Sequence, residues 1–291
     1  ACSMSITVDK SHHTIGAVVY DVSLSKVPKD IVLGQIEDAL EEHGVLVFPK
    51  QHAVTPEQQI AFSLALGPLD VTDVDYAFLP DHPEIFVVGN TGEQPVTFSP
   101  ADENGELEWH TDHIHLAVPA RASLLLAKAV PPIGGDTLFA CMYSAYDTLP
   151  PDQQILCDSL EVVNDVSGLL SYLDDQGLDT ETRNNERDSP VTWPLVRAHP
   201  RTGRKALYFG NQVSVGIVGW TDGEAKSFIS QLTEHACAPT FQYRHKWQVG
   251  DAVLWDNRRV LHAGTPYDLA GAPREMHRTT IRETEKIRRV G

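Results

Sequence analysis

The sequence is short of basic residues, of cysteine and of long apolar runs, and each shortage excludes something. Its 291 residues carry 23 lysines and arginines against 40 aspartates and glutamates, a formal charge of −17. A phosphate-backbone binder needs a basic face, so nucleic acid is not an expected partner, and neither is an anionic membrane surface. The four cysteines, Cys2, Cys141, Cys157 and Cys237, stand far apart with no Cys-X-X-Cys pair. That spacing fits neither a zinc ribbon nor a disulfide framework, and it reads as reduced thiols of a cytoplasmic protein. No stretch approaches the roughly 18 apolar residues of a membrane span. The first residues, Ala-Cys-Ser-Met-Ser, show no basic segment followed by an apolar one, so no leader is expected. Repeats, low-complexity tracts and Pro/Gly/Ser linkers are missing too, and the expectation is one domain over residues 1–291.

What is there is the patterning of a β-rich α+β protein. After Pro28, Asp30 reads as a helix cap, with Ile31, Leu33, Ile36 and Leu40 at helical spacing and Gly44 as the stop. Val45–Phe48 follows as a short buried strand. Thr55-Pro56-Glu57-Gln58 and Thr221-Asp222-Gly223-Glu224 have the form of capping boxes ahead of two further helices. Strands are expected at Ser123–Ala127, Thr137–Ala140, Val191–Ala198, Lys205–Phe209, Ala252–Trp255 and Arg278–Arg282. The polar stretch 163–188 reads as a loop or lid insertion.

Thirteen histidines invite a search for metal ligands, and the densest cluster is Trp109-His110-Thr111-Asp112-His113-Ile114-His115. On an extended segment, residues i and i+2 share a face. His110 and Asp112 would then converge on one ion while His113 and His115 point away. His262, just beyond the apolar run Ala252–Trp255, is the best third ligand. Two neutral imidazoles and one carboxylate leave three coordination positions open, the arrangement of non-haem iron(II) oxygenases. A His-X-Asp alone is weak evidence, since a surface pair or a core histidine explains it as well. Further on, Arg274, Met276 and Arg278 share one face of a strand. Two inward arginines would require anions; the plainer alternative is an exposed basic strand.

These pieces resemble the family of taurine dioxygenase and 2,4-dichlorophenoxyacetate dioxygenase, from about Val45 to Arg282. The resemblance rests on Trp109-His110-Thr111-Asp112, Gly134-Gly135-Asp136-Thr137-Leu138, His199-Pro200 to Gly203, Trp255-Asp256-Asn257-Arg258 with His262, and Arg274 to Arg278. It implies a distorted double-stranded β-helix, or jelly roll, with flanking helices, and a single catalytic domain. It also implies iron(II), 2-oxoglutarate and O2 as cofactor and cosubstrates. His110, Asp112 and His262 would bind the iron, and Thr137 and Arg274 the distal carboxylate of 2-oxoglutarate. Arg278 would take the anionic end of a small-molecule substrate. Trp255 matches a packing position.

The implied reaction decarboxylates 2-oxoglutarate to succinate and CO2 while O2 oxidises a substrate C–H bond. Hydroxylation is the usual outcome, with desaturation or ring closure as alternatives. Gly67-Pro68-Leu69-Asp70-Val71-Thr72-Asp73 lacks the histidine that the taurine enzyme has there, which argues against taurine. Asp112 argues against the related halogenating enzymes, which leave that metal position free. A zinc hydrolase could use the same three ligands, but it gives Thr137 and Arg274 no task. A metal-stabilised binding protein without turnover is a third reading. The oligomeric state, a homo-oligomer included, is left open.

Overall fold

A computed structural model describes residues 5–11, 14–71, 78–91, 107–170 and 189–290. In chain order, strands β1 (Thr7–Lys10) and β2 (Ala17–Tyr20) form an antiparallel hairpin. Helix α1 (Asp30–His43), strand β3 (Val45–Phe48) and helix α2 (Pro56–Leu66) follow. Next come β4 (Phe78–Leu79), β5 (His82–Gly89), β6 (Ala120–Ala129) and β7 (Thr137–Cys141). Helices α3 (Met142–Asp147) and α4 (Pro151–Ser159) lead to β8 (Glu161–Asn164), β9 (Val191–Pro194), β10 (Val196–Ala198), β11 (Lys205–Leu207) and β12 (Ser214–Ile217). Helix α5 (Asp222–Ala236) precedes β13 (Gln242–His245), β14 (Ala252–Asp256), β15 (Val260–Gly264) and β16 (Glu275–Arg282).

The main sheet has the order β1-β2-β3-β14-β6-β16-β5-β4, and a second sheet has the order β13-β7-β15. Strand alternation divides the apolar residues between two cores. On one face of the main sheet, Leu46, Phe48, Leu124, Leu126 and Leu254 pack under Ile36, Leu40, Phe62 and Leu66 of α1 and α2. On the other, Val45, Val47, Leu125, Val253, Trp255 and Met276 share a core with Phe139, Leu261 and Ala263 of the second sheet. β3 and β14 are buried at every position, as expected of strands covered on both faces. The site lies on the face of the main sheet that meets the second sheet.

Local signals gave the right termini in three places. Thr55 and Thr221 each close a full capping box, with Gln58 and Glu224, and Gly44 ends α1 with φ 71°, a conformation glycine adopts without strain. Asp30 is the first helical residue of α1, not its cap; Lys29 holds the cap position and makes no side-chain bond there. Val191–Ala198 is two strands: Pro194 has no N–H to continue a ladder, and after it β10 pairs with β11 while β9 pairs with β8. The stretch 163–188 begins inside β8, and residues 171–188 of it lie outside the described residues. Residues 112–115 form a turn, not an extended segment, and His113 has φ 57°. Among the described residues no helix is long and apolar enough to cross a membrane.

Candidate metal centre

His110 and His262 are brought together by main-chain bonds. Each donates its N–H to the other's carbonyl, at 3.0 and 2.8 Å, in a two-residue antiparallel bridge. The imidazoles lie side by side with ring centroids 4.1 Å apart. Asp112 enters from the turn that follows. Its Oδ1 is 3.9 Å from His110 Nε2 and 3.8 Å from His262 Nε2. The ligand atoms of all three lie within 4.8 Å of one another, a spacing that could hold one metal ion. His113 instead points its Nδ1 at Asp70 Oδ2, 3.3 Å away.

The protonation states suit a metal. His110 Nδ1 is 2.9 Å from the Glu108 carbonyl oxygen, which can only accept, so Nδ1 carries the proton and Nε2 keeps its lone pair. Burial pushes the pKa of His110 down. It takes that of His262 to about 3, with His110 alongside adding to the effect. Burial alone would raise the Asp112 carboxyl, but Arg278, His262 and His110 together outweigh it and hold the group below the usual carboxylate range. Near pH 7 the cluster is therefore two neutral imidazoles and one carboxylate, the states that metal ligation requires.

Around this cluster stand residues to which the sequence gave no task at the metal. Ser123 on β6 donates to Asp112 Oδ2 at 2.6 Å, and Asn257 Nδ2 donates to Ser123 Oγ at 2.9 Å. The residues Trp255–Arg258 each have a distinct contact. The Trp255 ring lies 4.8 Å from that of His262, and its indole N–H donates to Asn257 Oδ1 at 2.9 Å. Asp256 takes a two-pronged bond from Arg258 and a third contact from the buried His199. It is held well below the usual carboxylate range: burial opposes this, and the Arg258 charge and hydrogen bonds prevail.

Arg274 and Arg278 are both buried or nearly so, which removes the exposed-strand alternative. Arg278 is on β16 and Arg274 immediately precedes it, and β16 lies between β5 and β6, inside the main sheet. Arg278 Nη1 donates to Asp112 Oδ1 at 2.8 Å, its guanidinium sits 5.0 Å from the Phe86 ring centre, and its Nε is buried without a partner among the described residues. Arg274 is 7% exposed, and no carboxylate among the described residues pairs with it. Asn90 locks its main chain by accepting from its N–H at 2.7 Å and donating to its carbonyl at 3.0 Å. A Cβ at Gly135 would approach Arg274 Nε to 3.4 Å, so the missing side chain at Gly135 leaves the guanidinium its room. Two residues on, Thr137 Oγ1 accepts from the indole N–H of Trp247 at 3.0 Å, again a buried contact.

Known proteins are similar to this chain over most of its length. Residues 7–280 match the family model "Taurine catabolism dioxygenase TauD, TfdA family". An alpha-ketoglutarate-dependent 2,4-dichlorophenoxyacetate dioxygenase of Cupriavidus pinatubonensis is 36% identical over 286 residues, covering 95% of this chain and 98% of that protein. A (S)-phenoxypropionate/alpha-ketoglutarate-dioxygenase of Sphingobium herbicidovorans is 35% identical, covering 88% of each. The crystal structure of AAD-2 in complex with Mn(II) and N-oxalylglycine superposes with a TM-score of 0.80 at 30% identity, covering 97% of this chain and 98% of that one. The match runs through the candidate metal ligands and the arginine strand, and the chain belongs to the TauD, TfdA family of dioxygenases.

Proposed function

We propose that this chain couples the oxidative decarboxylation of 2-oxoglutarate to the hydroxylation of a small organic anion, with iron(II) held by His110, Asp112 and His262. The observation that carries the reading is the pairing of an open three-ligand cluster with a buried arginine that has no carboxylate partner among the described residues. A zinc hydrolase would account for the first and leave the second unexplained, because a buried guanidinium without a counter-ion is costly. The fold reading that goes with it is a single catalytic domain, a distorted jelly roll formed by the main and second sheets, flanked by α1 and α2. Three buried free thiols, Cys141, Cys157 and Cys237, support a cytoplasmic setting.

The donor set fits iron: nitrogen and oxygen ligands, three in number, in the protonation states described. When bound, iron(II) and 2-oxoglutarate supply the oxidising chemistry, with O2 consumed and succinate and CO2 released. The chain's own residues position and shield. Arg274 offers a planar fork to the distal carboxylate of 2-oxoglutarate. Trp247 occupies a lone pair of Thr137 Oγ1, which leaves the Thr137 proton free to donate to the same carboxylate. Arg278 keeps one N–H on Asp112 and has further donors for the anionic end of the primary substrate, beside the apolar face of Phe86. The aryloxy acids named for the two relatives have that form, a charged end on an apolar body, and they are the first substrates to try.

The test is O2 uptake and succinate release by the iron-loaded enzyme over a panel of small carboxylates, sulfonates and sulfate esters. One of these anions should raise both rates in proportion to oxidised product, and His262→Ala should abolish the effect. Hydrolysis of a panel member without O2 uptake would replace this reading with the zinc one.

A further inference from the structure

We propose that Ser123 and Asn257 are positioning residues for Asp112, holding its Oδ2 so that Oδ1 alone is offered to the metal. The proposal rests on the reading of His110, Asp112 and His262 as metal ligands. Its basis is a chain of hydrogen bonds whose direction is set at both ends. The Trp255 indole is a donor only, so the Asn257 atom it meets at 2.9 Å is the amide oxygen. That oxygen also accepts the Asp112 main-chain N–H at 3.2 Å. The amide nitrogen of Asn257 must then be the donor to Ser123 Oγ at 2.9 Å. A serine oxygen that accepts there sends its single proton elsewhere, and Asp112 Oδ2 receives it at 2.6 Å. The carboxylate can only accept, which closes the chain.

Ser123, Asn257, Trp255 and Asp112 are 0, 1, 1 and 3% exposed, so water does not compete for these bonds. Strand register places the parts: Ser123 of β6 lies directly opposite Trp255 of β14, and Asn257 is two residues past Trp255 in the turn. Thr111, next to Asp112, adds a second tie by donating its hydroxyl to the Asn257 carbonyl at 2.7 Å. The two carboxylate oxygens therefore have separate tasks. Oδ2 is committed to Ser123, while Oδ1 is the oxygen near both imidazole Nε2 atoms and also takes the bond from Arg278. With Oδ2 released, the carboxylate could swing to chelate the metal through both oxygens and close one of the three positions that the cosubstrates need.

The experiment uses cobalt(II) as probe, titrated anaerobically into the purified chain and read by its visible absorption, with and without 2-oxoglutarate. Wild type should bind one equivalent and His262→Ala should not; equal binding by both would overturn the metal-site reading itself. Given that result, Ser123→Ala should retain its circular dichroism spectrum, bind cobalt roughly 10- to 100-fold more weakly and show an altered absorption band. Asn257→Ala should fall in the same range, and the double variant should be no weaker than about threefold below Ser123→Ala, because Asn257 reaches the Asp112 carboxylate through Ser123 and its direct bond is to the main-chain N–H. If Ser123→Ala does not fold, Asn257→Ala alone carries the test. Cobalt affinity and absorption equal to wild type in a folded single variant would overturn the proposal. So would additive losses in the double variant, which would mean that the two residues act separately.

Discussion

At Arg274 a full positive charge is buried against Gly135 and Tyr267 with no acid paired to it among the described residues, and burial lowers its pKa. A natural protein keeps such a group where a ligand supplies the missing charge. Arg274→Lys preserves the charge and loses the fork, and should raise the 2-oxoglutarate requirement by about 10- to 100-fold, the range of one hydrogen bond to a charged group. Trp247→Phe keeps an aromatic ring and removes only the donor to Thr137, so a smaller loss of about 0.5–1.5 kcal/mol in cosubstrate binding is expected. Titration of 2-oxoglutarate against the metal-loaded variants measures both, and unchanged affinity in the pair would remove Thr137 and Arg274 from the cosubstrate site. Arg278 makes the opposite case, since it already has an acid in Asp112. Arg278→Ala should impair substrate oxidation far more than 2-oxoglutarate binding, with more succinate released per substrate oxidised. A lower melting temperature with the substrate KM intact would leave Arg278 as a partner of Asp112 and nothing more.

Among the elements, β16 carries Arg278 and follows directly on Arg274, and its start is held by a close approach to β5. At Gly89, with φ 154°, an added Cβ would fall 1.8 Å from the Arg274 carbonyl oxygen. No rotamer relieves a clash with main chain, so β16 must shift. Gly89→Ala should destabilise the fold by about 1–3 kcal/mol and, by displacing Arg274, should also raise the 2-oxoglutarate requirement. Helix α5 gives the contrast. Thr221→Ala removes the capping box of α5 and should cost about 1 kcal/mol of stability while leaving kcat and KM unchanged. Chemical denaturation with steady-state kinetics on both variants separates the two; a Gly89→Ala enzyme with wild-type cosubstrate dependence would show that Arg274 is placed by other contacts.

For the molecule as a whole, buried titratable groups set the response to acid. Burial depresses His110, His199, His262 and His277 below their usual value. In the unfolded chain each titrates near 6.5. As pH falls through about 6.5 the unfolded chain takes up protons before the folded one does, and stability declines. Asp112 and Asp256 are depressed as well, so what they contribute is complete above about pH 4 and is lost on further acidification. The metal-free protein should show a level melting temperature above about pH 7 and a steady fall from 6.5 to 4, followed by calorimetry. A melting temperature that rose on acidification would reverse the sign of the argument.

Sequence alone was enough wherever the deciding contact is local. The capping boxes at Thr55 and Thr221 close within three residues, β3 and β14 are apolar at nearly every position, and His110 and Asp112 are separated by one residue. The patterning also offered His262 as a third ligand, and the family motifs carried the reading further, to roles for Thr137, Arg274 and Arg278. Tertiary structure decided the rest. It joined His110 to His262 through a main-chain bridge, and it turned the chain at Asp112, so that the carboxylate reaches the imidazoles from a turn and not from a strand. It also chose partners: Asn257 for Ser123, 134 residues away, and Asp112 for Arg278, 166 residues away. A serine, an asparagine or a tryptophan N–H carries no pattern that names its partner. The register of β6, β14 and β16 brings those groups within bonding distance, and register is set by the packing of whole faces rather than by any one of the residues concerned.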